Sequence, residues 1–93
     1  MRRYQYQAIM NDGLEIQSPR DTRAEALQDI REVVIADCND NYDGDRERYN
    51  EAVERGFVEY FIEKVAYGDG YCCNMGMDEC MPQIGPRGGV RFV

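Results

Sequence analysis

Asn39, Asn41 and Asp43, followed by Gly44 and Glu47, carry side-chain oxygens at the spacing of a calcium-binding loop. Such a loop takes ligands from positions 1, 3, 5, 9 and 12 and needs glycine at position 6 for its turn. Here the two ends fail. Position 1 is Asn39 rather than aspartate, and position 12 is Asn50 rather than a bidentate glutamate. Glu51 comes one residue late, about 100° further round a helix. A polar helix–helix connection with a glycine turn explains the stretch better. Cys38, Cys72, Cys73 and Cys80 reach the number for a four-cysteine zinc site. The adjacent pair lacks C-x2-C spacing, however, and would point to opposite faces of a strand. Partly buried thiols are the simpler expectation.

Catalysis finds little support. The chain has no histidine, which removes His-based triads, dyads and His-ligated zinc hydrolase sites. Carboxylates are plentiful, but an exposed acidic helix does not supply the desolvation that separates two pKa values for acid–base work. Gly85, Gly88 and Gly89 lack the lysine and Ser/Thr of a phosphate loop. The expectation is a protein that is not an enzyme and needs no cofactor or resident metal. A metal-stabilised binding module, using the cysteines or the imperfect calcium loop, is the alternative.

Charge is the stronger signal. The 93 residues carry a net charge of −7. Residues 37–63 hold Asp37, Asp40, Asp43, Asp45, Glu47, Glu51, Glu54, Glu59 and Glu63 against Arg46, Arg48 and Arg55, six of those seven net charges. Arg2 and Arg3 near one end and Arg87 and Arg91 near the other make the acidity a patch. Such a patch repels a phosphate backbone, so direct nucleic-acid binding is not expected. It suits a basic protein groove, above all one built for nucleic acid, and its field would speed the encounter. The expected partner-binding residues are Asp37, Asp40, Tyr42, Asp43, Asp45, Glu47, Glu51 and Glu54, with Tyr42 as an aromatic anchor. Small acidic inhibitors of phage or plasmid origin, including anti-restriction and anti-CRISPR proteins, act as nucleic-acid mimics in this way. Plain solubility is the competing explanation.

The chain is long enough for one small domain over residues 1–93, and its 43% hydrophobic content argues that it folds. "MRRYQYQAIM" lacks the apolar run of a signal peptide, and no segment approaches 18 consecutive apolar residues. A cytoplasmic protein is expected, with thiols mostly reduced.

The elements that would position the patch follow from periodicity. Tyr4, Tyr6, Ala8 and Met10 alternate with Gln5 and Gln7, and "NDG" at 11–13 turns the chain toward Leu14 and Ile16, which predicts a β-hairpin. Thr22 and Glu25 form a capping box for a first helix reaching about residue 37, striped by Leu27, Ile30, Val33 and Val34. A second helix is predicted from about Asp45 to Ala66, with Tyr49, Val53, Gly56, Phe57, Tyr60 and Phe61 on its apolar side. Its width leaves room for a homodimer interface. Met75, Met77 and Met81 either form an adaptable contact surface or cover the end of a small core, and Tyr71–Asn74 and Val90–Val93 supply one or two short strands. The result is an α+β domain: hairpin, two amphipathic helices and a glycine-rich segment completing a small antiparallel sheet.

The stretch "SPRDTRAEALQDIREVV" resembles the N-terminal part of HicB-like antitoxins, where a threonine-capped helix follows a sheet. Asp21, Thr22, Glu25, Ala26, Leu27 and Ile30 carry the likeness, over under a fifth of the chain, and the family's downstream course is absent. The resemblance implies a small protein that neutralises a basic RNase toxin. That is the same physical role as the acidic patch suggests.

Overall fold

The structure, a computed structural model, describes residues 4–66 and 74–93. Seven elements follow one another: β1 (Tyr4–Met10), α1 (Arg23–Asn41), α2 (Arg46–Glu54), β2 (Tyr60–Ala66), β3 (Asn74–Cys80), β4 (Pro82–Ile84) and β5 (Val90–Phe92). The α+β class, with an N-terminal hairpin, two helices and closing strands, is the architecture that the periodicities predict.

The hairpin closes on a short turn. Gly13, at φ 85°, donates to the Met10 carbonyl at 2.9 Å, and Asp12 Oδ1 accepts from the Leu14 amide at 3.0 Å. A left-handed residue here is a position that glycine fills without strain. The returning segment then runs along β1 as a ragged strand, bridging Ile9 to Glu15 and Tyr6 to Arg20. Gln7 departs from simple alternation: it is buried, and its amide donates to the Gln17 carbonyl at 2.8 Å.

Thr22 caps α1 as expected. Its hydroxyl oxygen accepts from the Glu25 amide at 3.2 Å while the hydroxyl donates to the Glu25 carboxylate. The helix continues past residue 37 to Asn41, burying Ala26, Ile30, Val34 and Cys38 at a spacing of four. Asp29 shares that buried side and is 4% exposed. Arg20 satisfies it with two donors, at 2.9 and 3.0 Å, joining the hairpin's return to α1. Arg23 pairs with Asp78 of β3 at 3.6 Å, an exposed contact.

The predicted second helix is corrected. It ends at Glu54, and residues 60–66 form β2, the middle strand of an antiparallel sheet ordered β1-β2-β3. Gly56 is the physical reason. At φ 79° it donates to the Val53 carbonyl, while Phe57 donates to Ala52, which together make a Schellman stop. Beyond it, Tyr60, Phe61, Ile62 and Val65 are aromatic and β-branched residues that favour a strand. Tyr60 and Ile62 enter the core beside Ala8, and α1 packs on β1 and β2. The wide apolar helix that suggested a homodimer interface therefore does not exist.

The glycine-rich segment supplies three strands. β3 completes the main sheet, and β4 with β5, a strand expected at residues 90–93, forms a separate two-stranded sheet against α2. Met81 packs on the core, whereas Met77 is exposed. The strand expected at Tyr71–Asn74 falls, except for Asn74, outside the described residues, as do Cys72, Cys73, Arg2 and Arg3. No helix among the described residues is long and apolar enough to cross a membrane.

Candidate interaction surface

The loop between the helices is shorter than a calcium loop requires. Asn39 and Asn41, which would be its first two ligands, lie within α1, so only Tyr42–Asp45 connects the helices. Asp43 and Gly44 take consecutive left-handed conformations, at φ 53° and 77°. Aspartate is among the few residues that tolerate this. The Cys38 carbonyl accepts from both Tyr42 and Gly44, which reverses the chain. Asn50, the failed twelfth ligand, is engaged in the fold instead. Its side chain exchanges two 2.9 Å hydrogen bonds with the backbone of Ile84 in β4.

Each acidic side chain predicted for the surface can now be placed. Asp45 is the N-cap of α2, its carboxylate accepting from the Arg48 amide at 3.2 Å. Asp37 is half-buried near the end of α1 and accepts from the Asn41 side chain. Asp40, Asp43, Glu47, Glu51 and Glu54 are exposed. Among the described residues, no hydrogen bond from these five side chains and no ion pair neutralises them. Glu47, Glu51 and Glu54, at i, i+4 and i+7, share one face of α2, opposite the buried Tyr49 and Val53.

The arginines of α2 are engaged elsewhere. Arg46 reaches across to the turn between β4 and β5, donating to the Gly85 carbonyl at 3.4 Å and, more closely, to that of Pro86. Its guanidinium fills the space a side chain at Gly88 would need. The Arg48 guanidinium lies 5.7 Å from the centre of the Tyr42 ring. Tyr42 is correspondingly half-buried, with its ring edge-on to Tyr49 at 5.4 Å. It is a packed element of the fold as well as a member of the acidic surface.

Sequence reasoning gives no place to a cleft where the end of α1, the α2–β2 turn and the tip of β1 meet. It has a volume of about 220 Å³ and is walled by Asp37, Tyr42, Phe57, Val58, Glu59 and Met10. Phe57 is 74% exposed. Its position directly after Gly56 at a Schellman stop is the one sequence signal that would have turned it out of the helix.

The two described cysteines do not meet in a metal cluster, and no group of three or more potential ligands occurs among the described residues. Cys38 and Cys80 are both buried, and burial pushes both thiols above their ordinary pKa. Inert thiols are the consequence. No protein-family model, curated protein or solved structure matches the chain.

Proposed function

We propose that this chain is a non-enzymatic acidic interaction module that inhibits or modulates a basic nucleic-acid-binding protein or nuclease. Its type would be that of phage- or plasmid-encoded nucleic-acid mimics such as anti-CRISPR and anti-restriction proteins. One observation carries the reading. Arg46 and Arg48, interleaved with the acids of α2, are directed to backbone carbonyls and an aromatic ring, and among the described residues no ion pair reaches Glu47, Glu51 or Glu54. A merely soluble helix would gain from i, i+4 ion pairs, each stabilising by about 0.2–0.5 kcal/mol. Separating the charges instead concentrates negative potential, which favours encounter with a basic groove.

The test is affinity capture on the immobilised chain, beside a variant carrying Glu47→Lys, Glu51→Lys and Glu54→Lys, with retained proteins read by mass spectrometry. A nucleic-acid-handling protein held by the native chain, released by salt and lost by the variant supports the reading. Equal retention by both forms overturns it. Asp45 is left intact because its capping role would confound the result.

A further inference from the structure

The 220 Å³ cleft beside Phe57 combines three features that together favour a single kind of occupant. Its polar wall is negative: Asp37 and Glu59 line it, and no described residue lining it is basic. It also lies at the C-terminal end of α1, whose last turn holds no basic residue. The helix macrodipole places partial negative charge there, which Asp37 and Asp40 reinforce rather than offset. Its remaining wall sets the neutral amides Asn11 and Asn41 beside apolar and aromatic side chains, among them Tyr42, Phe57 and Val58.

We infer that this cleft is a socket for one arginine side chain of the basic partner, an inference that rests on the acidic-docking reading above. Its volume falls below the roughly 300–1,000 Å³ of small-molecule sites, which suits a single long side chain. Arginine fits better than lysine, because a planar guanidinium can stack on an aromatic ring while its fork of donors reaches carboxylates. The chain already shows this preference, with Arg48 against the Tyr42 ring. Asp37 accepts from the Asn41 side chain with one carboxylate oxygen, and no hydrogen bond or ion pair engages the other among the described residues. A second copy of the chain is a poor occupant, since each copy carries a net charge of −7.

The probe is the capped tripeptide acetyl-Leu-Arg-Leu-amide, titrated into the full ¹⁵N-labelled chain, with citrulline replacing arginine as a neutral control. Saturable amide shifts are expected at Asn41, Tyr42, Phe57 and Val58, with a dissociation constant on the order of 1 mM. Asp37→Asn should weaken binding by about tenfold through loss of a charge-assisted contact. Phe57→Ala should weaken it as well. Neither Asp37 nor Phe57 is itself a buried core residue, and an unchanged melting temperature verifies the fold. Equal shifts with citrulline, or shifts confined to Glu47, Glu51 and Glu54, overturn the socket. In the capture experiment, a partner retained by the Asp37→Asn/Phe57→Ala double variant but lost by the α2 charge reversal overturns the socket alone. A partner retained by the charge reversal overturns the acidic reading.

Discussion

Asn50 and Ile84 exchange two hydrogen bonds of 2.9 Å, the amide nitrogen of one donating to the carbonyl of the other and its oxygen accepting in return. The asparagine side chain thereby serves β4 as a one-residue strand partner. Together with Arg46 on the Gly85–Pro86 carbonyls, it fixes the second sheet to α2.

Replacing Asn50 by alanine leaves both backbone groups of Ile84 without those partners in a half-buried setting. A destabilisation of about 2–3 kcal/mol is expected in urea unfolding. Asn50→Asp retains the acceptor for the Ile84 amide but turns a carboxylate oxygen toward its carbonyl. It should therefore be destabilising at neutral pH and partly rescued in acid, where the protonated form can donate.

Gly56→Ala places a side chain at φ 79°, with its Cβ about 3.1 Å from a Glu59 carboxylate oxygen. The backbone strain alone should cost about 1 kcal/mol or more, seen as a lowered melting temperature. Glu59 must also shift, so the same substitution should alter the Phe57 cleft.

Arg20→Met removes the bidentate partner of Asp29, a carboxylate 4% exposed. An uncompensated buried charge costs more than an apolar pair. Thermal unfolding should accordingly find the single variant less stable than the double variant Arg20→Met/Asp29→Leu.

Alkaline pH should unfold the protein. Burial pushes the phenols of Tyr49 and Tyr60 above their ordinary value, and it raises the thiols of Cys38 and Cys80. For a group whose folded pKa is raised, the unfolded chain loses its proton first as pH climbs. Stability is therefore full below the unfolded pKa and falls above it. The decline should begin near pH 9 with the thiols and steepen above pH 10 with the phenols. Each group contributes a slope of up to about 1.4 kcal/mol per pH unit. Denaturant midpoints between pH 7 and 11 measure it, and Tyr49→Phe should flatten the upper limb. That replacement also removes a buried hydroxyl that interacts with the phenol of Tyr60.

Asp45 should separate from its acidic neighbours in stability. Asp45→Ala removes an N-cap and should cost about 1 kcal/mol. Glu51→Ala touches no partner among the described residues and should stay within about 0.5 kcal/mol. Paired urea titrations distinguish them.

The parts of the fold legible in the sequence are those where a local signal and the tertiary need agree. Thr22 and Glu25 start α1, and of its predicted stripe Ile30 and Val34 are buried while Leu27 and Val33 are half-buried against the core. The β1 alternation and the Asn11–Gly13 turn are equally local. A helical reading of 55–66 fails because Tyr49, Val53, Phe57 and Tyr60 sustain a helical period across the break. Only Gly56 marks the stop, and a glycine inside an amphipathic pattern is readily absorbed. β3 is harder still to read, since "NMGMDEC" has no clear alternation and contains Gly76 at φ 135°. The acidic residues are legible as a charge pattern. Which of them cap a helix, and which arginines turn away from them, depends on contacts between residues as distant as Arg46 and Pro86.

The antiparallel register that sets Tyr4 opposite Ala66 encloses both helices between two adjacent strands. During synthesis, β1 must wait for everything up to β2 before it gains that long strand partner, while α1 and its cap can form from their own residues. A large entropic loop therefore closes in one late step, which raises contact order and slows folding. Until that step, the amphipathic side of α1 has only the N-terminal hairpin to cover it. Apolar surface left exposed before that step favours premature association, which completion of the sheet then opposes.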